Sequence, residues 1–369
     1  MTEETNWKTT PNPKENSILD IEAILKLAEN NSAISDIHMA WDEAIAFRIN
    51  GDIKRYEEAW KLNSEAIEII LRQLMKGNPK SFDKFMGDKD SDFSFMAKNG
   101  TTYRVNAYLK LGKIGIVMRK INDEAKKLEE IMFSDIAESI KQNILSLKKG
   151  LYLVTGPTGS WKSTSIVSML DYINETRQEN IITIEDPIEF IFKAKQSLFS
   201  QREVGHDTRS FSNALRAAMR EDPNIIFVWE IRDRETAESV LNLSETGHLV
   251  FSTLHTSSAA STASRFISFF PPEIQDSIAD RLADALIWIQ SQFLTKTSDQ
   301  SKRLALFELL INTTAIKNTI RKKDFNQIDS IIFTGESYGM ITLGQYAKRL
   351  IEKWIITEES VARVFNQKK

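Results

Sequence analysis

"TGPTGSWKSTS", residues 155–165, follows the short apolar run "LYLVTG" and leads into the helix-forming stretch "STSIVSMLDYINE". A strand, a glycine-rich turn and a helix form the setting in which the spacing G-x-x-x-x-G-K-[ST] grips phosphate. Backbone N–H groups at the helix start wrap the phosphate oxygens, the lysine reaches the β and γ phosphates, and the hydroxyl after it holds Mg²⁺. Gly156, Pro157, Thr158, Gly159, Ser160, Trp161, Lys162, Ser163 and Thr164 are therefore the candidate ATP-binding residues, with Ser163 as a metal ligand. The bland alternative is a surface turn ahead of a helix. Trp161 stands where the pattern requires its second glycine. There the backbone must approach the phosphates closely, and an indole competes for that space. Taken literally, the sequence predicts poor nucleotide binding.

Outward from the loop, "NIITIED", "NIIFVWEI" and "HLVFSTL" are buried-type runs separated by helical segments. That alternation predicts an α/β domain with a mostly parallel sheet and flanking helices over residues 135–369. The segment "SDIAESIKQNILSLKKG" reads as a helix stopped at Gly150, and everything beyond about residue 270 as mostly helical. Residues 17–121 mix helical stretches with alternating strands, and Asn99-Gly100 is a hairpin signal, so a small α+β domain is expected there. The charged stretch 122–134 reads as a linker and residues 1–16 as a flexible tail.

A length of 369 residues and an apolar share of 41% suit two domains. A net charge of −3 supplies no basic field, so no nucleic-acid partner is expected. Without cysteine there is neither a disulfide nor a thiolate metal site. The polar start lacks the order of a signal peptide, and no run is apolar enough to span a bilayer. A soluble cytoplasmic protein is expected.

"IITIEDPIEF" (181–190), "QREVGHDTRSFSNALRAAMREDPNIIFVWEIRDRETAES" (201–239) and "ETGHLVFSTLHTSSAASTASRFISFFP" (245–271) closely resemble the secretion ATPase superfamily, and within it the PilT branch of type IV pilus retraction ATPases. The similarity runs from about residue 20 to the end. It implies a PAS-like N-terminal domain and a RecA-like C-terminal one, assembled as a homohexamer with ATP between subunits. It further implies Mg²⁺, an inner-membrane platform protein as partner, a peripheral place at the inner face of the cytoplasmic membrane, and room for a second retraction ATPase. Glu185, Asp186 and Glu189 match the acidic box, where Glu189 arranges Mg²⁺ and water. Glu230 matches the Walker B glutamate that polarises water, and His248 and His255 the histidine box that senses nucleotide. Arg104 and Arg119 match arginines offered to the phosphates from the N-terminal domain. Such a set suits phosphoryl transfer, which needs positioned charge more than covalent chemistry. Each residue also has an ordinary reading, as a loop carboxylate, a core histidine or a surface cation.

Seven tryptophans against fourteen glycines is an unusual ratio for such a fold. Trp161 and Trp229 replace motif glycines, Trp354 follows a helix where a left-handed cap is expected, and Trp41 lies at a turn. Trp288 lies where relatives often have a small residue, though a core indole is ordinary there, and Trp7 and Trp60 say little. One explanation is that UGA codons, read as glycine in some bacterial lineages, were translated as tryptophan. The other is a degenerate paralogue serving as a structural subunit of a mixed hexamer. Drift, however, would also have damaged Lys162, Ser163, Glu189, Glu230 or His255, and all are intact.

Overall fold

The computed structural model describes residues 20–29, 34–49, 52–56, 61–76, 79–121, 123–300 and 303–368. The tail 1–16, Trp7 and Trp60 lie outside them. The chain divides into two compact units, Met1–Asn122 and Asp123–Lys369.

In the first unit, helix α1 (Ile21–Glu29) precedes strands β1 (Ile34–Ala40), β2 (Ala46–Ile49) and β3 (Asp52–Arg55). Helices α2 (Ser64–Leu74) and α3 (Pro79–Asp88) lead to β4 (Asp90–Met96), β5 (Thr102–Lys110) and β6 (Lys113–Lys120). The strands form one antiparallel sheet in the order β3-β2-β1-β6-β5-β4. Alternation decides its faces: Ile37, Met39, Val105, Ala107, Ile116 and Met118 join the core with Ile24, Ile67, Ile70 and Leu71 of the helices. The β4–β5 connection turns at Gly100, whose φ of +88 closes a turn with its N–H on Ala97 O, as the Asn-Gly pair leads one to expect.

The second unit opens with α4 (Leu128–Ile131) and α5 (Ser134–Asn143). The stretch expected to be a linker instead buries Leu128, Ile131 and Met132 in this unit's core. Its charged residues concealed three apolar anchors. The helix expected to run to Gly150 ends at Asn143, and Gly150 begins strand β7 (Gly150–Thr155). Its φ of +119, with Ile287 and the Ala285 carbonyl against the place of a Cβ, makes that glycine a strand-entry device rather than a helix stop.

The remaining elements are α6 (Lys162–Thr176), β8 (Asn180–Glu185), β9 (Leu198–Glu203), α7 (Phe211–Ala218), β10 (Ile225–Val228), α8 (Arg234–Glu245), β11 (Leu249–Leu254), α9 (Ala259–Ser268) and α10 (Gln275–Ala285). They continue into β12 (Leu286–Lys296), β13 (Arg303–Ile311), α11 (Thr314–Arg321), α12 (Ile328–Thr334), α13 (Leu343–Glu352) and α14 (Glu358–Lys368). The sheet order is β13-β12-β7-β11-β10-β8-β9, parallel except for the β12–β13 hairpin. Both faces are covered. Tyr152, Val154, Phe227 and Phe251 pack toward α5, α6 and α13, whereas Leu151, Leu153, Ile226 and Val250 pack toward α7 to α12. The expected α/β architecture is present. The stretch beyond residue 270 is less helical than its composition implies, because "LIWIQSQFLTK" is a long strand. A continuous apolar run does not separate strand from helix.

Trp354 occupies the left-handed position after α13, with φ 60, and its indole is exposed. Its N–H reaches Ile351 O at 2.9 Å and the N–H of Ile355 reaches Leu350 O at 3.0 Å, the two closing bonds of a Schellman cap. An L residue with a side chain costs about 1–2 kcal/mol in that backbone region. Trp354→Gly should therefore stabilise the protein by about 1 kcal/mol in urea denaturation. An unchanged or lower midpoint would show that the indole makes a compensating contact.

Candidate functional site

The parallel strands deliver their C-terminal ends to one edge of the second unit's sheet, the edge at which such folds place ligands. The loop 156–161 leaves β7 there and ends at the N-terminus of α6, where free N–H groups and the helix dipole favour an anion. Gly156 has φ +148, and a Cβ on it would lie 2.2 Å from Gln292 O. No other residue fits. Gly159 is also left-handed, at φ +76. Trp161 adopts φ 69 and ψ 27 as the N-cap of α6, makes no side-chain cap bond, and packs under the Lys126 ammonium at 4.7 Å.

Lys162 folds its ammonium back over the loop, donating to Gly156 O at 2.9 Å and Pro157 O at 3.1 Å, with His255 Nδ1 3.5 Å away. Burial lowers its pKa to about 8, although the Glu230 and Glu189 carboxylates work against that fall. Glu230, just past β10, is buried. His255 Nε2 lies 2.5 Å from its Oε2, and Arg232 Nε holds its Oε1. Lys162, His255 and Glu230 thus form one continuous polar chain beside the loop. The Trp229 indole rests against the hydroxyl of Ser163, with Nε1 3.4 Å from Oγ. The Oγ of Ser160 is buried without a hydrogen-bond partner among the described residues.

Glu185 ends β8 and is buried, accepting from Thr183 Oγ1 at 2.6 Å and Gln201 Nε2 at 3.3 Å. Burial raises its pKa to about 7 despite those donors. Asp186 is half-buried, while Glu189 is exposed and sends its N–H toward Glu185 Oε2 at 3.5 Å. Among the described residues no three histidine or acidic side chains cluster tightly enough to hold a metal alone. Mg²⁺ accompanying a nucleotide does not require that, because substrate phosphates and water supply much of its shell. Ser163 and Glu189 fit that role in donor chemistry.

His248 is not part of this edge. It precedes β11 whereas His255 follows it, and six strand residues at about 3.3 Å each put the two roughly 20 Å apart. Its Nδ1 sits 3.0 Å from Leu243 O and 3.2 Å from Thr246 Oγ1. Arg104 and Arg119 face each other across β5 and β6 in the first unit. Asp36 and Arg48 extend that row across β1 and β2. Asp36 is buried; its Oδ1 accepts from Arg119 Nε at 2.7 Å and its Oδ2 from Ser35 Oγ at 2.7 Å, with Arg48 Nε at 3.5 Å. Burial pushes the Asp36 carboxyl up, but the Ser35 hydroxyl and the two guanidiniums outweigh it and hold the pKa below the usual range.

Sequence reasoning missed Asp36, and it missed Gln292, which bonds the loop 156–161 from β12. The trace of Gln292 in the sequence is a pair of glutamines in alternate positions of an apolar run, "WIQSQF".

Among the five tryptophans within the described residues, Trp288 is a core residue, fully buried and stacked on Tyr152, with no acceptor for its Nε1 among the described residues. At the turn after β1 the left-handed residue is Asp42, φ 57, not Trp41.

The Glu185 shift has a sign. Between pH 4.5 and about 7 the folded protein binds the proton and the unfolded chain does not, so stability falls as pH rises through that window. Glu185→Gln should be more stable than the parent by about 1–3 kcal/mol at pH 8, with the gain vanishing toward pH 5. Urea titrations at both pH values test this, and a gain independent of pH would contradict it.

Comparison with known proteins places these features in context. The model of the family described as type II/IV secretion system protein matches residues 14–342. The type IV pilus retractation ATPase PilT of Pseudomonas aeruginosa is 39% identical over 343 residues, covering 93% of this chain and 97% of that one. YggR of Escherichia coli, named as an uncharacterized protein, is 34% identical over 327 residues, covering 89% and 97%. The crystal structure of the pilus retraction motor PilT with bound ADP matches with a TM-score of 0.85 at 39% identity, covering 94% of this chain and 97% of that one.

Proposed function

Because the chain belongs to the type II/IV secretion ATPase family, we propose that it is a homohexameric motor that hydrolyses ATP to retract type IV pili. The observation that carries the activity is the Lys162–His255–Glu230 chain at the mouth of the loop 156–161. A buried carboxylate joined to a histidine beside a phosphate-gripping lysine suits the orientation of water against a terminal phosphate. Lys162 neutralises phosphate charge, Glu230 orients the attacking water, and His255 reports between the two. Ser163 and Glu189 would hold Mg²⁺, which supplies charge neutralisation when bound. Arg104 and Arg119 are the further cations of this reading, with Asp36 steadying Arg119. Nucleotide sensing within one chain rests on His255, since His248 lies at the other end of β11. Retraction, rather than another task of the family, rests on the names of the pilus relatives. Among the described residues no helix is long and apolar enough to cross a membrane. That suits a subunit docked from the cytoplasmic side on an inner-membrane platform protein, alone or with a second retraction ATPase.

The finer part of the proposal concerns the tryptophans. Positions 161 and 354 have left-handed backbones, and the side chain at 229 lies on the hydroxyl proposed to hold Mg²⁺. Glycine relieves all three conflicts at once. We therefore hold that these positions are glycine in the cell through UGA decoding. Peptide mass spectrometry of the protein from its own host reads this directly, and tryptophan at 161 would sink the idea.

A second reading, a non-hydrolysing subunit of a mixed hexamer, is favoured by the indole of Trp161 in the loop. The chain expressed with tryptophan or with glycine at 161 and 229 separates the two. The glycine form should hydrolyse ATP at least a hundredfold faster, on the order of 3 kcal/mol in barrier, and Glu230→Gln in that form should abolish the rate. Inactivity of both forms favours the structural subunit. Deletion of the gene should leave cells piliated but unable to retract, and unaltered retraction would refute the cellular role.

A further inference from the structure

We infer that Gln292 is a positioning residue that holds the phosphate loop in its binding conformation through the carbonyl of Ser160. The inference rests on reading residues 156–164 as the nucleotide loop. Gln292 lies fully buried on β12, which runs parallel beside β7. Its Nε2 donates to Ser160 O at 2.5 Å. The opposite end of the amide is committed, because Oε1 accepts from Ser165 Oγ at 3.0 Å and from Gln290 Nε2 at 2.9 Å. Gln290 is held in turn by Tyr152, whose hydroxyl donates to its Oε1 at 2.9 Å. The Ser160 carbonyl can only accept, so a flipped amide would set its oxygen against that carbonyl and its nitrogen against the Gln290 amide nitrogen. Its nitrogen must face the loop.

The consequence follows from peptide planarity. A trans peptide sends its C=O and N–H in opposite directions. Pinning the Ser160 carbonyl toward the core therefore aims the N–H of residue 161 away from it, as an N–H that must meet phosphate requires. The same glutamine bears on the loop a second time. Its own carbonyl oxygen lies 2.2 Å from the place a Cβ on Gly156 would take. The start and the middle of the loop are thus both registered on one residue of the neighbouring strand, and Ser165 ties that residue to the first turns of α6.

If Gln292 only satisfied a buried carbonyl, its loss would lower stability and leave nucleotide affinity unchanged. The test uses the full chain with glycine at 161 and 229 as the parent, the form expected to bind nucleotide, with ADP affinity from calorimetric titration and melting temperature measured on the same samples. Q292M should weaken ADP binding about tenfold or more, and raise the KM for ATP while kcat holds within about threefold. S165A should weaken binding about two- to fivefold, and the double variant should bind no worse than Q292M alone, because Ser165 acts through Gln292. Lowered melting with unchanged ADP affinity in Q292M overturns the inference. Should Q292M fail to fold, S165A carries the test alone, and unchanged affinity there overturns it too. ADP binding by K162A at the parent's affinity, or none by the parent, removes the loop reading and this inference with it.

Discussion

Between Thr155 and Lys162 the backbone must leave a fully buried strand, turn and enter a helix within six residues. Most of what is distinctive about the second unit serves that constraint. The path demands left-handed conformations at Gly156, Gly159 and residue 161, which a residue with a Cβ adopts only at a cost. It also demands rigid walls. The strand β7 has parallel partners on both edges, β11 and β12, and helices cover both faces of the sheet. A loop held on all sides loses little further entropy when it closes on a ligand.

Charge is arranged around the same edge. Burial makes the Lys162 ammonium easier to deprotonate and the Glu185 carboxyl harder to ionise. Both are near the end of strands where solvent is excluded, so their fields are strong. Glu230 stays satisfied between His255 and Arg232 rather than facing the lysine directly. In the first unit the same logic runs in reverse: a single buried carboxylate, Asp36, organises two arginines on the open face of a sheet.

Much of this was legible in the sequence because it depends on local rules. Glycine spacing, the helix after it and the run of apolar strands are readable since backbone conformation and burial leave a residue-by-residue trace. The left-handed site at Trp354 was legible from the helix boundaries around it. The failures share a cause. Gly150 looked like a helix stop because its strand role depends on Ile287, far along the chain. The segment 122–134 looked like a linker because its charges outnumber the three apolar anchors that bury it. His248 matched a motif, yet a motif does not say which end of a strand a residue occupies. Trp41 sat at a turn whose strained residue proved to be its neighbour, Asp42.

The sequence alone determined that a glycine-bearing turn joins a buried strand to a helix, and that one of its positions carries a side chain the backbone resists. These are properties of neighbours in the chain. Only the tertiary structure decided what holds the loop in place. Gln292 lies 132 residues from Ser160, in a strand whose register with β7 no local pattern encodes, and Asp36 lies 83 residues from Arg119. A hydrogen bond depends on distance and direction in space, and the chain fixes those only once the sheets have formed.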